Sequence, residues 1–531
     1  MSDLLIDRSR YTVLILLSAV LLLGFFLRFY EIKQIPVGFF ADEAAIGYNA
    51  YKLLTTGGDE YNKPHPFYFQ SFGDWRTPIP IYSMIPLIAV FGLNEFSVRF
   101  TMAIYGTATI LFLYLFTTEL FYKDSLSKQI SLMSAFLLAI SPWHIHFSRT
   151  GFEFTTMPFY LLVSLFLFFH FLNTRKSSYL IFASIFFVVT FYTAYVIQLV
   201  LMPFLFILSV LYLGILKTKF KFYLFSLTLF ILGLIPFLLA VQNGQALTRF
   251  NSVSPLAQGK SLTEILQPMS RTYFDHFSIG FLFLKGDIDM PGHFITRHSV
   301  RGMGELYPFQ LPLIIFGIVY LWLKHKKIML FFLFWFILYP VGSTMVAEGP
   351  FAHRSLLGVI PFQIISAVGA VYLLSYFLQF KNLKIRRIGT VILISISVSL
   401  LSLSLIDYAN KYFHEYPLYS SDFWGWQYGP RDIMKYFLSV ENQYDDLYMS
   451  GEFNGATIFP KFYDPENHCL NKCQIGNFYE QPEIVNPARK QIFSLSPDYL
   501  NKSIFKDHFK IKQIIYYPNE SVAFYIGEIV E

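Results

Sequence analysis

Long apolar runs recur along the chain and are separated by short segments rich in Lys and Arg. A helix that crosses a bilayer needs about 20 apolar residues, and most of these runs have that length. The pattern therefore predicts a polytopic α-helical membrane protein with about 11 transmembrane helices. The predicted spans are residues 11–29, 97–121, 129–147, 153–172, 178–195, 197–216, 222–241, 309–323, 328–346, 355–379 and 388–407.

The charge of the loops predicts the orientation of these spans. Lys and Arg accumulate in cytoplasmic loops, so the basic segments should share the cytoplasmic face with the N-terminus. The apolar run 78–92 contains three prolines, and a crossing there would invert every later loop. It is therefore predicted to be an interfacial helix. The basic segments carry Arg8/Arg10, Lys123/Lys128, Arg175/Lys176, Lys217/Lys219/Lys221, Lys324/Lys326/Lys327 and Lys381/Lys384/Arg386/Arg387.

This topology predicts a two-part organisation. Residues 1–407 form the membrane region, whose outer side has a first outer loop at 30–96 and a long outer loop at 242–308. No small-residue cleavage site follows 11–29, which is predicted to be an uncleaved anchor. Residues 408–531 form an extracytoplasmic α/β domain, called here the tail.

Within the tail, a helix RDIMKYFLSV is predicted to begin after Pro430, and a second helix is predicted near 454–463. DLYMS at 446–450 and the segments IKQIIYYP and VAFYIGEIV have the β-branched and aromatic content of strands. Cys469 and Cys473 are either unpaired or joined in a local disulfide, which an oxidising compartment would permit.

Composition agrees with a membrane protein, since only 14% of residues are charged and 54% are hydrophobic. The net charge of +6 is spread over short loops, so it does not indicate a nucleic-acid partner. The predicted spans contain almost no ionisable residues, His170 being the main one. This scarcity argues against an ion-coupled transporter.

Charged residues concentrate instead at the predicted outer ends of the spans, where they could line one polar cavity. A carboxylate there could accept a proton from an acceptor hydroxyl, and cations could stabilise a departing lipid phosphate. A polyprenyl-phosphate sugar would suit such a cavity. Asp42 is the candidate base. The remaining candidates are Glu43, Lys63, Asp74, Arg76, Arg149, Glu153, His353 and Arg354.

Each of these residues also has a structural interpretation. Asp42 and Glu43 could cap the helix that follows them, and the arginines could be interfacial anchors. Lys63 and Arg76 could pair with nearby acids, and Glu153 with Arg149. His353 could be a structural hydrogen-bonding group. Trp424 and Trp426 in SDFWGWQYGP could be an element of the tail fold or a platform on which a sugar stacks.

Several segments resemble the lipid-linked-sugar glycosyltransferases of the GT-C class, in particular the protein O-mannosyltransferase and aminoarabinose-transferase superfamily (glycosyltransferase family 39 and relatives). The resemblance covers roughly the first 370 residues and leaves out the tail, which is a candidate for choosing the acceptor. The matching stretches are ADEAAIGYNAYKLLTTGGDEY, FGDWRTPIPIYSMIPLIAVFGLNEFSVR, ISPWHIHFSRTGFE, HSVRGMGELYPFQLPLIIFG and GPFAHRSLLGVIPF.

The resemblance implies an inverting transfer of a sugar from a polyprenyl-phosphate donor, without cofactor or metal. Asp42 takes the role of the catalytic carboxylate, with Glu43 completing the acidic pair, and Ser148-Arg149 matches a serine-arginine of the family. The family's basic residue near a proline is matched in part by Lys63 and in part by Arg76.

The predicted function is therefore a membrane glycosyltransferase acting on a protein, lipid or glycan acceptor at the extracytoplasmic face. Two alternatives remain open: a flippase or exporter of lipid-linked sugar, and a non-catalytic membrane scaffold. A divalent metal also stays open, because Asp42, Glu43 and Asp74 could meet in space, although the resemblance implies that none is needed.

Overall fold

The computed structural model describes residues 2–254, 256, 259, 261–288, 290, 295–346, 349–469, 472–476 and 482–530. The helices up to the long outer loop are α1 Ser2–Phe29, α2 Ala41–Thr56, α3 Pro78–Phe91, α4 Glu95–Leu120, α5 Ser127–Ala139, α6 Pro142–Ser148, α7 Thr156–Thr174, α8 Ser177–Phe191, α9 Tyr195–Thr218, α10 Phe220–Gly233 and α11 Ile235–Gln242. The helices that follow are α12 Thr248–Val253, α13 Leu262–Asp275, α14 Gln310–Lys324, α15 Lys326–Leu338, α16 Val341–Thr344, α17 Val359–Leu378 and α18 Leu383–Asn410.

Eight spans in the described part of the chain are long and apolar enough to cross a membrane, or nine if the bent pair α5–α6 is one span. Three shorter apolar helices accompany them, namely α3, α8 and α14. The eleven predicted spans correspond to the eight, the bent pair, α8 and α14. The helical membrane fold is confirmed, whereas the count of 11 stays a prediction because it depends on the two shorter helices.

The predicted span 129–147 is not one straight helix. It divides into α5 and α6, which meet at an angle of 58°. Pro142 lacks the N–H that a continuing helix would need, so the last carbonyls of α5 require other donors. Arg28 of α1 supplies them: its guanidinium donates to the carbonyls of Leu138 (3.1 Å) and Ala139 (2.9 Å). A buried arginine therefore satisfies the backbone at a break inside the apolar region.

The first outer loop contains α2, a hairpin and α3. The hairpin pairs β1 (Phe69–Ser71) with β2 (Asp74–Arg76), and its two turn residues, Phe72 and Gly73, both have positive φ. The helix α3 occupies the segment predicted to be interfacial. Thr77 precedes α3 and donates its hydroxyl to the carbonyl of Thr193, between α8 and α9.

The tail is an α/β unit, as predicted. Its five-stranded sheet has the order β4-β3-β5-β7-β6, with β3 parallel to β4 and β5, and β7 antiparallel to β5 and β6. Cys469 and Cys473 form a disulfide. The strands are β3 Asp446–Ser450, β4 Cys473–Gly476, β5 Gln491–Leu495, β6 Phe509–Tyr516 and β7 Val522–Ile529, and the helices are α19 Tyr416–Tyr419, α20 Pro430–Val440, α21 Ile458–Tyr463 and α22 Pro497–Lys502.

The tail and the first outer loop share one hydrophobic core. Phe39 and the buried alanines of α2 pack in the same cluster as Phe437 and Phe462 of the tail. An ion pair between Arg431 of α20 and Glu95 at the start of α4 (3.0 Å) joins the two parts at the edge of this core. The first outer loop is therefore held between the membrane helices and the tail.

Replacing Arg28 by Leu should lower the thermal unfolding temperature of the detergent-solubilised protein. A buried carbonyl left without a donor costs about 1–3 kcal/mol. The variant removes the Arg28 donors from the carbonyls of Ala139 and Leu138, of which Leu138 keeps the backbone N–H of Ser141 at 3.3 Å. Arg386→Leu, at an exposed position of α18, is the matched control. An unchanged unfolding temperature for Arg28→Leu would contradict this account of the bend.

Candidate functional site

Asp42 lies in the first turn of α2, where the positive end of the helix dipole favours a carboxylate. Its side chain is 33% exposed, and the guanidinium of Arg76 reaches it at 2.6 Å from Nη2 to Oδ1. Arg76 is the last residue of β2, so the hairpin carries it to the head of the helix. The local fold thus orients one oxygen of Asp42 and leaves a third of its side chain exposed.

Arg76 also contacts Glu153, with its Nη1 3.6 Å from Oε2. Burial lowers the pKa of Arg76, but the carboxylates of Asp42 and Glu153 outweigh burial and raise the pKa above its ordinary value. Arg76 is therefore a permanent cation shared between two acids. Its positive charge is matched locally, which suits an orienting role better than binding of a further anion.

A cavity of about 410 Å³ opens beside Asp42, between the first outer loop and the segments that follow α13 and α16. Asn454 of the tail completes its lining. The residues come from segments that the loop charges assign to one side of the membrane. The charged and imidazole groups that line the cavity are Asp42, Asp74, Glu153, Arg76, Arg297, Arg354, His298 and His353.

Arg297 is a lining residue that the sequence analysis did not identify. Its guanidinium lies 3.9 Å from the centre of the Phe40 ring and donates to the carbonyl of Trp424 at 2.7 Å. Its Nε has no hydrogen-bond partner among the described residues. Burial lowers the pKa of Arg297 to about 10, against the opposing effect of Asp42. The group is still charged at neutral pH, so it offers an anion a positive charge inside the cavity.

Asp287 connects the two segments that carry the cations. One carboxylate oxygen accepts from the hydroxyl of Ser299 (2.8 Å), and the other accepts from the backbone N–H of Ala352 (3.0 Å). The imidazoles of His298 and His353, one on each segment, lie with their ring centres 4.1 Å apart. Arg297 and Arg354 are therefore held next to each other by a shared buried anchor.

Six of the nine predicted site residues line the cavity: Asp42, Asp74, Arg76, Glu153, His353 and Arg354. Lys63 is exposed, and its Nζ lies 4.6 Å from the ring of Trp75, itself a lining residue. Between the two candidates for the basic residue near a proline, Arg76 is the one that contacts Asp42.

Glu43 and Arg149 point away from the cavity. Glu43 is fully buried and pairs with Arg99 of α4 through both oxygens, at 3.0 and 3.1 Å. Arg149 donates to the carbonyls of Leu27 (3.0 Å) and Ile35 (2.9 Å) and packs against the rings of Tyr412 and Phe413. These contacts give both side chains a structural role in shaping the wall behind the cavity.

The carboxylates do not gather into a metal-binding group. Asp42 and Glu43 diverge, and the described part of the chain contains no cluster of three His, Cys, Asp or Glu side chains arranged to hold a metal ion. The Arg76 contact also occupies one oxygen of Asp42. The donor set in this cavity therefore suits an organic anion contacted by guanidinium groups.

Known proteins resemble this chain in a family model and in fold. Residues 76–239 match the family described as dolichyl-phosphate-mannose-protein mannosyltransferase. The fold is similar to that of the archaeal oligosaccharyltransferase AglB from Archaeoglobus fulgidus, whose structure is in complex with an inhibitory peptide and a dolichol-phosphate. The TM-score is 0.55 and the sequence identity is 12%, and the match covers 97% of this chain and 74% of that one.

A second similar structure is ArnT from Cupriavidus metallidurans bound to undecaprenyl phosphate, at 11% identity over 97% of both chains and a TM-score of 0.51. No curated protein matches the sequence significantly. The family match and the two folds confirm the resemblance to the GT-C superfamily. At these identities the structural similarity establishes the fold alone.

The neighbouring acids should differ sharply in their effect on stability. Glu43→Gln should lower the thermal unfolding temperature strongly, because it leaves the buried charge of Arg99 without its counter-ion, at a cost of about 3–5 kcal/mol. Asp42→Asn should change the unfolding temperature little, since Asp42 is partly exposed and Arg76 retains its ion pair with Glu153. Thermal unfolding of both variants in one detergent checks this, and equal unfolding temperatures would contradict the division of roles.

Proposed function

We propose that this protein is an inverting glycosyltransferase that moves a sugar from a polyprenyl-phosphate donor to an acceptor hydroxyl or amine at the extracytoplasmic face of the membrane. The observation that carries the proposal is the juxtaposition of Asp42, oriented by Arg76, with Arg297 and Arg354 in one cavity. A carboxylate and a pair of cations are the two kinds of group that this transfer needs.

Each group has a distinct part in the reaction. Asp42 accepts the proton of the acceptor as the acceptor oxygen or nitrogen attacks the anomeric carbon. The bond from that carbon to the phosphate oxygen breaks, and the polyprenyl phosphate leaves with the bonding electrons. Arg297 and Arg354 stabilise the negative charge that develops on this phosphate. Attack from the face opposite the leaving phosphate inverts the anomeric configuration.

The topology is part of the proposal. The cavity collects residues from loops that the distribution of Lys and Arg assigns to the outer side. The N-terminus is then cytoplasmic, and the tail is extracytoplasmic beside the cavity. The apolar faces of the surrounding helices would contact membrane lipids and the polyprenyl chain. The family match over residues 76–239 and the polyprenyl phosphate bound to similarly folded enzymes support this choice of donor.

Asp42→Asn should reduce sugar transfer at least about 100-fold, the low end of the range for loss of a general base. The measurement is release of polyprenyl phosphate from a labelled donor by the purified protein in nanodiscs. Asp432→Asn, in the first turn of α20 and outside the cavity, is the matched control. Full transfer by Asp42→Asn would rule out the assigned base, and movement of donor between leaflets without bond cleavage would favour a flippase.

The arginines should separate into two groups when donor binding is measured. Arg297→Gln and Arg354→Gln should each weaken binding of polyprenyl phosphate about tenfold or more, because a hydrogen bond to a charged group contributes about 1.5–3 kcal/mol. Arg149→Gln should lower the unfolding temperature and leave the dissociation constant of folded protein near its original value.

The matched control is Arg301→Gln, an exposed residue of the same segment as Arg297. Binding can be followed by microscale thermophoresis with a fluorescent polyprenyl phosphate. If Arg149→Gln weakened binding as much as Arg297→Gln, the proposed phosphate contacts would be wrong.

A further inference from the structure

Gln427 is a buried residue whose side-chain amide is left without hydrogen bonds. The residue as a whole is only 1% exposed. Neither Oε1 nor Nε2 of its side chain has a hydrogen-bond partner among the described residues. A primary amide offers two donors and an acceptor, and buried polar groups are almost always bonded. Its backbone also adopts φ of 52°, which is uncommon for a residue with a side chain. The amide therefore needs a partner from outside the described chain.

Gln427 lines a second cavity, located in the tail and about 400 Å³ in volume, which we call the tail pocket. This volume falls within the range of about 300–1,000 Å³ for small-molecule sites. Asp422 and Glu452 add carboxylates, and no lysine, arginine or histidine is present among its described lining residues. Aromatic side chains supply most of the remaining wall: Phe423, Tyr428, Phe453, Tyr517 and Phe524.

The tail pocket adjoins the cavity that contains Asp42. Asp422, which lines the tail pocket, accepts a hydrogen bond from the hydroxyl of Thr296 at 2.7 Å, and the next residue, Arg297, lines the Asp42 cavity. On the tail side, Phe453 lines the tail pocket and Asn454 lines the Asp42 cavity. The two cavities therefore share walls built from consecutive residues.

The chemistry of the lining selects the class of ligand. An unpaired amide and two carboxylates can exchange hydrogen bonds with several hydroxyl groups, and aromatic rings can pack against the apolar face of a ring. Because no lysine, arginine or histidine is among the described lining residues, a phosphate, a sulfate or a lipid headgroup with net negative charge would have no cation to pair with. A neutral sugar combines hydroxyl groups with an apolar face and satisfies both requirements.

We propose that the tail pocket binds a neutral sugar residue of the acceptor, with Gln427 as its main hydrogen-bonding group. This proposal rests on the proposed glycosyl transfer, because it assigns the acceptor to a glycan or glycolipid. The sugar bound in the tail pocket would hold the acceptor so that its reactive hydroxyl reaches Asp42 in the adjoining cavity. Asp42 and Gln427 would then act on two parts of one acceptor molecule.

Binding can be measured without any donor, which separates this proposal from the catalytic one. The full-length protein in nanodiscs is examined by saturation-transfer-difference NMR with the methyl glycosides of mannose, glucose, galactose and N-acetylglucosamine as probes. Wild-type protein and Asp42→Asn should bind at least one of them equally. Gln427→Met, which removes the amide at similar size, should weaken that binding at least tenfold.

Two further variants make the experiment decisive. Gln443→Met, at an exposed position of the tail, is the matched control and should bind as wild type. Phe423→Ala should also weaken binding; Phe423 is 43% exposed, so this variant tests the pocket even if Gln427→Met fails to fold. The proposal is overturned if none of the glycosides binds wild-type protein, if both variants bind as wild type, or if a capped serine-containing peptide occupies the pocket in their place.

Discussion

The buried pair between Glu43 and Arg99 fixes the geometry on which the cavity depends. Arg99 donates to both carboxylate oxygens of Glu43 and to the carbonyls of Pro36 (2.8 Å) and Gly38 (2.6 Å). Glu43 in turn accepts from the backbone N–H groups of Phe40 (3.1 Å) and Gly151 (2.6 Å). Burying two charges is costly unless their hydrogen bonds are satisfied. Here the partners come from the segment before α2, from α4 and from the residue Gly151 after α6. The pair therefore sets the position of α2 against α4 and α6.

Helix geometry then explains why adjacent acids have different roles. Consecutive residues of an α-helix point about 100° apart around its axis, so Asp42 and Glu43 cannot face the same environment. With Glu43 fixed toward Arg99, Asp42 turns toward the cavity and meets Arg76. The acidic pair is thus one structural unit in which the buried member positions the exposed member.

The charges of the Asp42 cavity follow from what pairs with each arginine. Arg76 forms ion pairs with the carboxylates of Asp42 and Glu153, so its charge is neutralised locally and the contact orients Asp42. Arg149 and Arg28 donate to backbone carbonyls and are not among the residues that line the cavity. Arg297 is different because the close contacts of its guanidinium among the described residues are an aromatic ring and a single carbonyl, and the carboxylate of Asp42 acts on it only from a greater distance. Its positive charge is therefore less closely matched than that of Arg76. Residue type alone does not separate these arginines; the partners that the fold provides do.

The sequence was informative where one physical pattern dominates. Apolar runs predict the helical membrane fold, and β-branched segments predict strands of the tail; both are present in the structure. The side of the membrane on which the polar residues gather stays a prediction from the loop charges. The sequence does not predict the bend at Pro142, because the run 129–147 has the length and the apolar content of a single span. The motif predicts Arg149 as a phosphate contact, but a linear motif does not show where a side chain points, and in the structure Arg149 donates to the carbonyls of Leu27 and Ile35. The sequence does not identify Arg297, because its segment between α13 and α14 has no periodic pattern. In the structure Arg297 lines the cavity and contacts Phe40 and Trp424.

The loop that carries Trp424 and Gln427 belongs to the tail. It accepts the hydrogen bond of Arg297 and also lines the tail pocket. The segment after α18 is therefore part of the wall of the candidate active site as well as part of a separate domain.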